Sequence, residues 1–173
     1  TEFNAFLLNF SYHTAMKKVH FMGIGGAGAS SVAAIALSRG FEVTGCDKII
    51  HNEFTTDFNK DVLFEGHSAE HLKGQEENTI DILAISPAIT IYDPDNDEVL
   101  EAKKSGIEVM TWQEFMGKYL EMDRKVIAVS GTHGKSSTTG MLAKVLVDAG
   151  KDPTVVVGTK LPDLGGRNWR SGK

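Results

Sequence analysis

Cysteine occurs once in the sequence, at Cys46, so no disulfide can form within the chain, and a reducing, cytosolic setting fits it best. No apolar run approaches the roughly 18 residues that a transmembrane helix needs. The short run Ala5-Phe6-Leu7-Leu8 lacks the basic flank and the length of a signal peptide. Positive charge is not in excess: 18 Lys and Arg stand against 23 Asp and Glu, for a formal net charge of −5. That balance gives no electrostatic reason to expect nucleic acid or an anionic membrane as partner. A phosphate could still be held locally, since a few backbone amides and one lysine suffice. His13, His20, His51 and His71 have no metal-ligand spacing to cysteine or carboxylates, so a metal site built from histidines is not expected. Internal repeats and low-complexity tracts are absent. With 173 residues, 41% of them hydrophobic, the chain can bury a sizeable core as one domain, or as one domain and part of another.

What is there is a strand–helix alternation. Val19–Met22 reads as a short buried strand, Gly28–Ser38 as a helix closed by Gly40, and Phe41–Cys46 as a second strand stopping at Asp47. Val62–Phe64 and Ile80–Ile85 read as a third and fourth strand. Asn96–Ser105 has helical character, Ile107–Met110 is a further strand, and Thr111 can cap a helix to about Leu120. This rhythm predicts a parallel sheet with helices on both faces. The charged break Glu121–Lys125 is the expected domain boundary. Beyond it the pattern restarts with a strand Val126–Ser130, a helix Ser136–Ala149 and a strand Thr154–Val157, followed by loop to Lys173. One helix and two strands leave a sheet face uncovered, so Val155, Val156 and Val157 are expected to be exposed, poorly ordered or buried in a neighbouring molecule. Residues 1–15 read as a leader or disordered arm, with Met16 as a natural start.

Two glycine loops carry the chemistry. Gly23-Ile24-Gly25-Gly26-Ala27-Gly28 satisfies G-x-G-x-x-G between a strand and a helix, the setting in which a helix N-terminus receives a phosphate. Asp47 ends the next strand about 20 residues on, where a dinucleotide fold places its ribose-binding acid. The first domain is therefore read as α/β and Rossmann-like; the loop alone does not choose between NAD, FAD and a UDP-sugar. Gly66-His67 and Ser86-Pro87-Ala88-Ile89 follow strand ends, where ligands bind in such sheets. The second loop, Ser130-Gly131-Thr132-His133-Gly134-Lys135-Ser136-Ser137, is a phosphate loop by mechanism. Its amides can curl round phosphate oxygens, Lys135 can neutralise their charge and the Ser136 hydroxyl can ligate Mg²⁺. It departs from G-x-x-x-x-G-K-[ST], because position 129 is valine.

The two loops in this order resemble the Mur ligase family. Gly131-Thr132-His133-Gly134-Lys135 is similar to that family's shortened ATP loop, and Val19 to Gly28 to the UDP-binding opening of its alanine-adding branch. Gly66-His67, Ser86 to Ile89 and Asp152 to Gly158 fall where that branch has similar segments. The resemblance covers residues 17 to about 170. It implies an ATP- and Mg²⁺-dependent, amide-forming ligase with UDP-N-acetylmuramate and L-alanine as substrates, acting through an acyl phosphate. It implies a UDP-sugar-binding domain over residues 16–122 and the start of an ATP-binding domain over 123–173. In that reading Lys135 is catalytic; Gly131, Thr132, His133, Gly134, Lys135, Ser136 and Ser137 bind ATP, and Ser136 holds the metal. Gly23, Ile24, Gly25, Gly26, Ala27, Gly28, Asp47, His67, Ser86, Pro87, Ala88 and Ile89 shape the UDP-sugar site. Ser136 and Ser137 stand where the family commonly has threonine, and Pro87 where a small residue is frequent. The family's acidic Mg²⁺ ligands and C-terminal domain would lie beyond Lys173, so the chain by itself is expected to be inactive. The alternatives are the family's tripeptide-adding recycling ligase and, outside it, a dinucleotide-dependent oxidoreductase.

Overall fold

The computed structural model describes residues 17–73 and 80–173, so the expectation for residues 1–15 falls outside it. Five parallel strands form the main sheet in the order β3-β2-β1-β4-β5, with β1 at Lys18–Met22, β2 at Glu42–Asp47, β3 at Leu63–Glu65, β4 at Ile82–Ile85 and β5 at Glu108–Thr111. The central strands read as near-continuous apolar runs because both sheet faces are covered. On one face Val19 and Phe21 pack with Val32 and Ile35 of helix α1 (Ala27–Ser38), and with Phe115. On the other, Met22, Leu83 and Ile85 pack with Val99 and Ala102, which belong to a later helix.

Three short helices follow β4 and β5. Helix α2 (Pro87–Tyr92) has Pro87 in its first turn, where a missing N–H costs nothing. Helix α3 (Asp97–Lys104) is capped by the Asn96 side chain, with Asp97 and Glu98 in its first turn and Lys103 and Lys104 in its last, the order that suits the helix dipole. Helix α4 (Trp112–Phe115) starts with a capping box: Thr111 accepts from the Glu114 amide while the Glu114 carboxylate accepts from the Thr111 amide. It continues as a π-helical turn over Met116–Leu120.

The second half departs from expectation in three places. Val126–Ser130 is not a strand: its backbone is irregular, with Val126 59% and Ile127 65% exposed. The apolar pattern is there, but among the described residues no strand pairs with it, and a strand without a partner leaves its amides to water. Val126 to Val129 instead line an apolar groove of about 570 Å³ with Trp112, Leu142, Leu146 and Val155. Next, after helix α5 (Lys135–Asp148), strand β6 runs longer than expected, over Val155–Leu161, and pairs antiparallel with an unforeseen β7 at Arg167–Arg170. Gly165 and Gly166, with φ of +68° and +75°, make the turn before β7; this pair was the available hairpin signal. Lastly, Val155 and Val157 are buried rather than exposed, and Val156 packs against the main core.

Helix α1 explains that burial. Residues Ala29 to Ala36, Ser30 and Ser31 among them, are all buried, the signature of a helix covered all round. The sheet covers one side and the β6–β7 hairpin the other. Polar contacts fix the second interface: the Asn168 side-chain amide donates to the Ala27 carbonyl at 2.7 Å, and the Ser31 hydroxyl donates to the Asn168 carbonyl at 3.0 Å. Arg39, at the C-cap of α1, donates to the Leu120 carbonyl and to the Thr154 hydroxyl, tying the sheet unit to the start of β6.

Phe115 is wholly buried and meets Phe21 and Phe41 edge-on at 5.3 and 5.4 Å. Phe115→Ala is expected to lower unfolding stability by about 3–5 kcal/mol, read from urea denaturation.

Candidate functional site

The strand order reverses at β1, because the chain runs outward through β2 and β3 and then returns to β4 on the other side. The crevice between β1 and β4 at their carboxyl ends is the switch point where open α/β sheets bind ligands. Two of the sequence segments expected to shape the sugar-nucleotide site, Gly23–Gly28 and Ser86–Ile89, meet there. Gly23 has φ of +90°, and a Cβ placed on it would lie 2.7 Å from Ser86 Cβ. Ser86 is the N-cap of α2, so Ser86-Pro87-Ala88-Ile89 is a cap and first helical turn rather than a loop. Proline at the first helical position, followed by residues free of special backbone demands, allows that turn to close. Ile89 packs into the second core cluster.

Within the first glycine loop the roles divide. Ile24 is a core residue, wholly buried, with its side chain laid over Gly45. The Gly25 amide donates to Asp47 Oδ2 at 2.9 Å, and the Gly25 carbonyl accepts from Asn52 Nδ2 at 3.1 Å. Asp47 thus braces the loop itself, while its other oxygen accepts from the Ile49 amide at 3.2 Å. Asn52 was missed from the sequence, since an asparagine in a turn-rich stretch carries no particular signal. Gly28 lies against the Trp112 ring, where a Cβ would come within 2.6 Å of Cζ2. Gly26 caps α1 without a side chain to satisfy the first helical amides. The first-turn amides of α1, from Ala27 onward, are the donors such a helix offers to a phosphate.

His67, beside β3, reaches inward: its Nδ1 lies 3.2 Å from Cys46 Sγ. Behind it sits a buried polar cluster that sequence spacing did not reveal. Glu98, on α3, is wholly buried; its Oε2 accepts from the Ser68 amide at 2.9 Å, and Oε1 stands 3.0 Å from His20 Nε2. His71 Nδ1 is 3.6 Å from Glu98 Oε2. Burial alone would raise the Glu98 carboxyl, but contact with His20, the charge of His71 and the Ser68 amide outweigh it and hold the group below the usual carboxylate range. Burial, and then the neighbouring Glu98, push the Cys46 thiol up, so it stays protonated. Burial lowers His71. His20, Cys46, His71 and Glu98 come from separate elements and are far apart in the sequence, which is why no local motif announced them.

The second glycine loop precedes α5. Gly131 and Gly134 have φ of +149° and +77°, and Gly134 is the N-cap. Lys135 opens the helix, one residue earlier than expected, and its ammonium group donates back to the carbonyls of Gly131 and Thr132 at 2.7 and 3.3 Å. The loop is open to solvent from Gly131 to Lys135, Ser137 included, with Ser136 half-buried. Thr132 and His133 lie at its tip. Ser136 Oγ faces β6, 3.6 Å from where a Cβ on Gly158 would stand. Among the described residues no helix is long and apolar enough to cross a membrane.

A Rossmann-like sheet with a glycine loop at its switch point, followed by a second glycine loop, defines a class of nucleotide-handling α/β proteins. The chain belongs to the Mur ligase family: the model of the Mur ligase family, catalytic domain, matches residues 18–124, a span that closes before the second loop. It is 36% identical over 167 residues to UDP-N-acetylmuramate–L-alanine ligase of Clostridium tetani, covering 96% of this chain and 35% of that protein. With the enzyme of the same name from Dictyoglomus turgidum it shares 40% identity over 152 residues, 87% of this chain and 31% of that one. The chain thus spans about a third of the length of these relatives. Among solved structures, UDP-N-acetylmuramate-alanine ligase from Thermotoga maritima superposes with a TM-score of 0.76 at 33% identity, over 90% of this chain and 35% of that one. The UDP-N-acetylmuramate:L-alanyl-γ-D-glutamyl-meso-diaminopimelate ligase from Neisseria meningitides does so with a TM-score of 0.78 at 31% identity, over 92% and 48%.

Because the Asp47 carboxylate accepts two backbone amides, Asp47→Ala is expected to cost about 1.5–3 kcal/mol of stability, and Asp47→Asn less. Thermal or urea unfolding of the two variants side by side checks the order.

Proposed function

We propose that the chain is the UDP-sugar-binding unit and the opening of the ATP-binding unit of a cytoplasmic ligase that joins L-alanine to UDP-N-acetylmuramate in peptidoglycan precursor synthesis. The observation that carries this reading is the convergence of Gly23–Gly28, braced by Asp47, with Ser86 at the β1/β4 switch point. Residues 16–122 form the first unit and 123–173 the start of the second. In the first, the uncapped start of α1 receives the pyrophosphate, and His67 and Ser86 to Ile89 flank the nucleotide.

The second loop fits a nucleotide phosphate and its magnesium ion. A Cβ on Gly134 would meet nothing within 4 Å, so the turn leaves open space in front of the α5 N-terminus. Among the described residues Lys135 has no acidic partner; it rests on two loop carbonyls and can exchange these for phosphate oxygens without breaking an ion pair there. Gly131, Thr132, His133, Gly134, Ser136 and Ser137 supply amides and hydroxyls, with Ser136 the residue to hold Mg²⁺. ATP, when bound, supplies the phosphoryl group that turns the muramoyl carboxylate into an acyl phosphate for attack by the alanine amine. Lys135 stabilises the charge that spreads over the transferring group, and positioning does the rest.

The tripeptide-adding ligase is the second reading, favoured by the similarity to the Neisseria enzyme. The two readings share the sugar nucleotide and differ in the incoming amine.

By calorimetry the chain is expected to bind UDP-N-acetylmuramate in preference to NAD(H); the reverse preference would support an oxidoreductase instead. Gly25→Val is expected to abolish binding, since even its Cβ would lie 2.8 Å from Asp47 Oδ2 and 2.9 Å from Asn52 Nδ2, displacing the loop. Where the chain is continued to the length of its relatives, Lys135→Ala is expected to cut turnover by about 10²–10³ with sugar-nucleotide affinity unchanged. Near-normal turnover in that variant would make the loop structural.

A further inference from the structure

The buried cluster behind His67 takes no part in the nucleotide reading. His20 comes from β1, Cys46 from β2, His71 from the turn at Ala69–Leu72 and Glu98 from the first turn of α3. One donor atom from each lies within 4.8 Å of all the others. Four ligands at about 2.0–2.3 Å from a tetrahedral zinc ion stand about 3.3–3.8 Å from one another. Here His20 Nε2 is 3.0 Å from Glu98 Oε1, Cys46 Sγ is 3.7 and 3.5 Å from the two Glu98 oxygens, and His71 Nδ1 is 3.6 Å from Oε2.

Two further observations point to an ion. His20 is wholly buried, yet its Nε2, 3.0 Å from Glu98 Oε1, makes no well-aligned hydrogen bond, and nor does His71 Nδ1 at 3.6 Å from Oε2, a condition that buried polar atoms rarely keep without cause. The rest of the cluster is already oriented from outside. His20 Nδ1 is bonded to the Thr44 hydroxyl at 2.8 Å and Glu98 Oε2 accepts the Ser68 amide, the outer contacts by which metal ligands are held in place.

We propose that His20, Cys46, His71 and Glu98 form a closed, tetrahedral site for a divalent transition metal of the zinc class. The Glu98 carboxylate and a Cys46 thiolate carry two negative charges and the imidazoles none, so a dication is neutralised inside the core. On binding, the sulfur–metal bond replaces the S–H bond and the proton leaves to solvent; nothing is oxidised or reduced. Thiolate and imidazole ligands disfavour Mg²⁺ and Ca²⁺, which separates this site from any magnesium at the second loop. With all four positions filled by protein the site is structural. It staples β1, β2, α3 and the 69–72 turn together directly under His67, whose Nδ1 is 3.2 Å from the ligating sulfur.

The test is titration of the chelator-treated chain with Zn²⁺ and Co²⁺, followed by calorimetry and absorption. One ion per chain is expected, with the intense visible bands of tetrahedral cobalt and a sulfur-to-metal charge-transfer band. Cys46→Ser, nearly isosteric, should remove the charge-transfer band. His71→Ala, at the cluster's outer edge, should weaken zinc binding by more than about 100-fold, since loss of a ligand exceeds the loss of an outer partner. Circular dichroism shows whether both variants fold. His51→Ala, an exposed histidine outside the cluster, should bind as the parent does. Absence of stoichiometric binding, a weak octahedral cobalt spectrum, or equal affinity in Cys46→Ser and His71→Ala would overturn the proposal. A His20 imidazole that stays protonated beside Glu98 with zinc present, read by NMR, would overturn it in favour of a metal-free ion pair.

Discussion

The end of β1 is clamped from both sides, and the rest of the site depends on that clamp. The Cys46 carbonyl of β2 accepts from the amides of Gly23 and Ile24 at 2.8 and 3.1 Å, while the Met22 carbonyl accepts from the Ser86 amide at 2.8 Å. Gly23 must turn at φ of +90° with Ser86 pressed against it, which no residue with a side chain does without strain. With β1 fixed between β2 and β4, the next residues have little choice: Ile24 drops into the core, Gly25 meets Asp47, and α1 begins at Ala27 with its amides toward the crevice. The glycines of this motif serve packing partners on the protein as much as space for a ligand.

Helix α1 then carries the fold across from one half of the chain to the other. A helix rich in alanine, valine and isoleucine, with its serines buried too, cannot face water without a large loss of burial. The β6–β7 hairpin meets that need, and Asn168 and Arg39 satisfy the polar groups where the two meet. The same covering leaves Val126–Val129 outside any sheet, facing the apolar groove against α5. Burial was available to one apolar stretch of the second half and went to the one that the hairpin turn delivers to α1.

The carboxyl end of the sheet carries polar chemistry on two levels. At the surface are backbone amides and the short side chains that brace them. Beneath, Glu98 gathers His20, His71, Cys46 and the Ser68 amide in a largely buried space, with only His71 of the three side chains partly exposed. A charged carboxylate is tolerated there only because donors converge on it, and the segment bearing His67 is thereby held to α3.

Much was legible in the residues themselves. Alternating apolar runs and glycine stops located β1, α1, β2, β4, α3 and α5 to within a residue or two, because local propensity and burial agree there. Gly23–Gly28 and Gly131–Ser136 were readable because each needs particular residues at fixed offsets, a demand satisfied within one turn of chain. Thr111 announced its helix as a cap, although its reciprocal bond with Glu114 was seen only in the structure. The fate of Val126–Val129, the burial of Val155 and Val157, the bracing by Asn52 and the convergence on Glu98 were decided only in three dimensions. Each depends on which surfaces meet across tens of residues, and a strand, a core position or a ligand set exists only once its partner is in place.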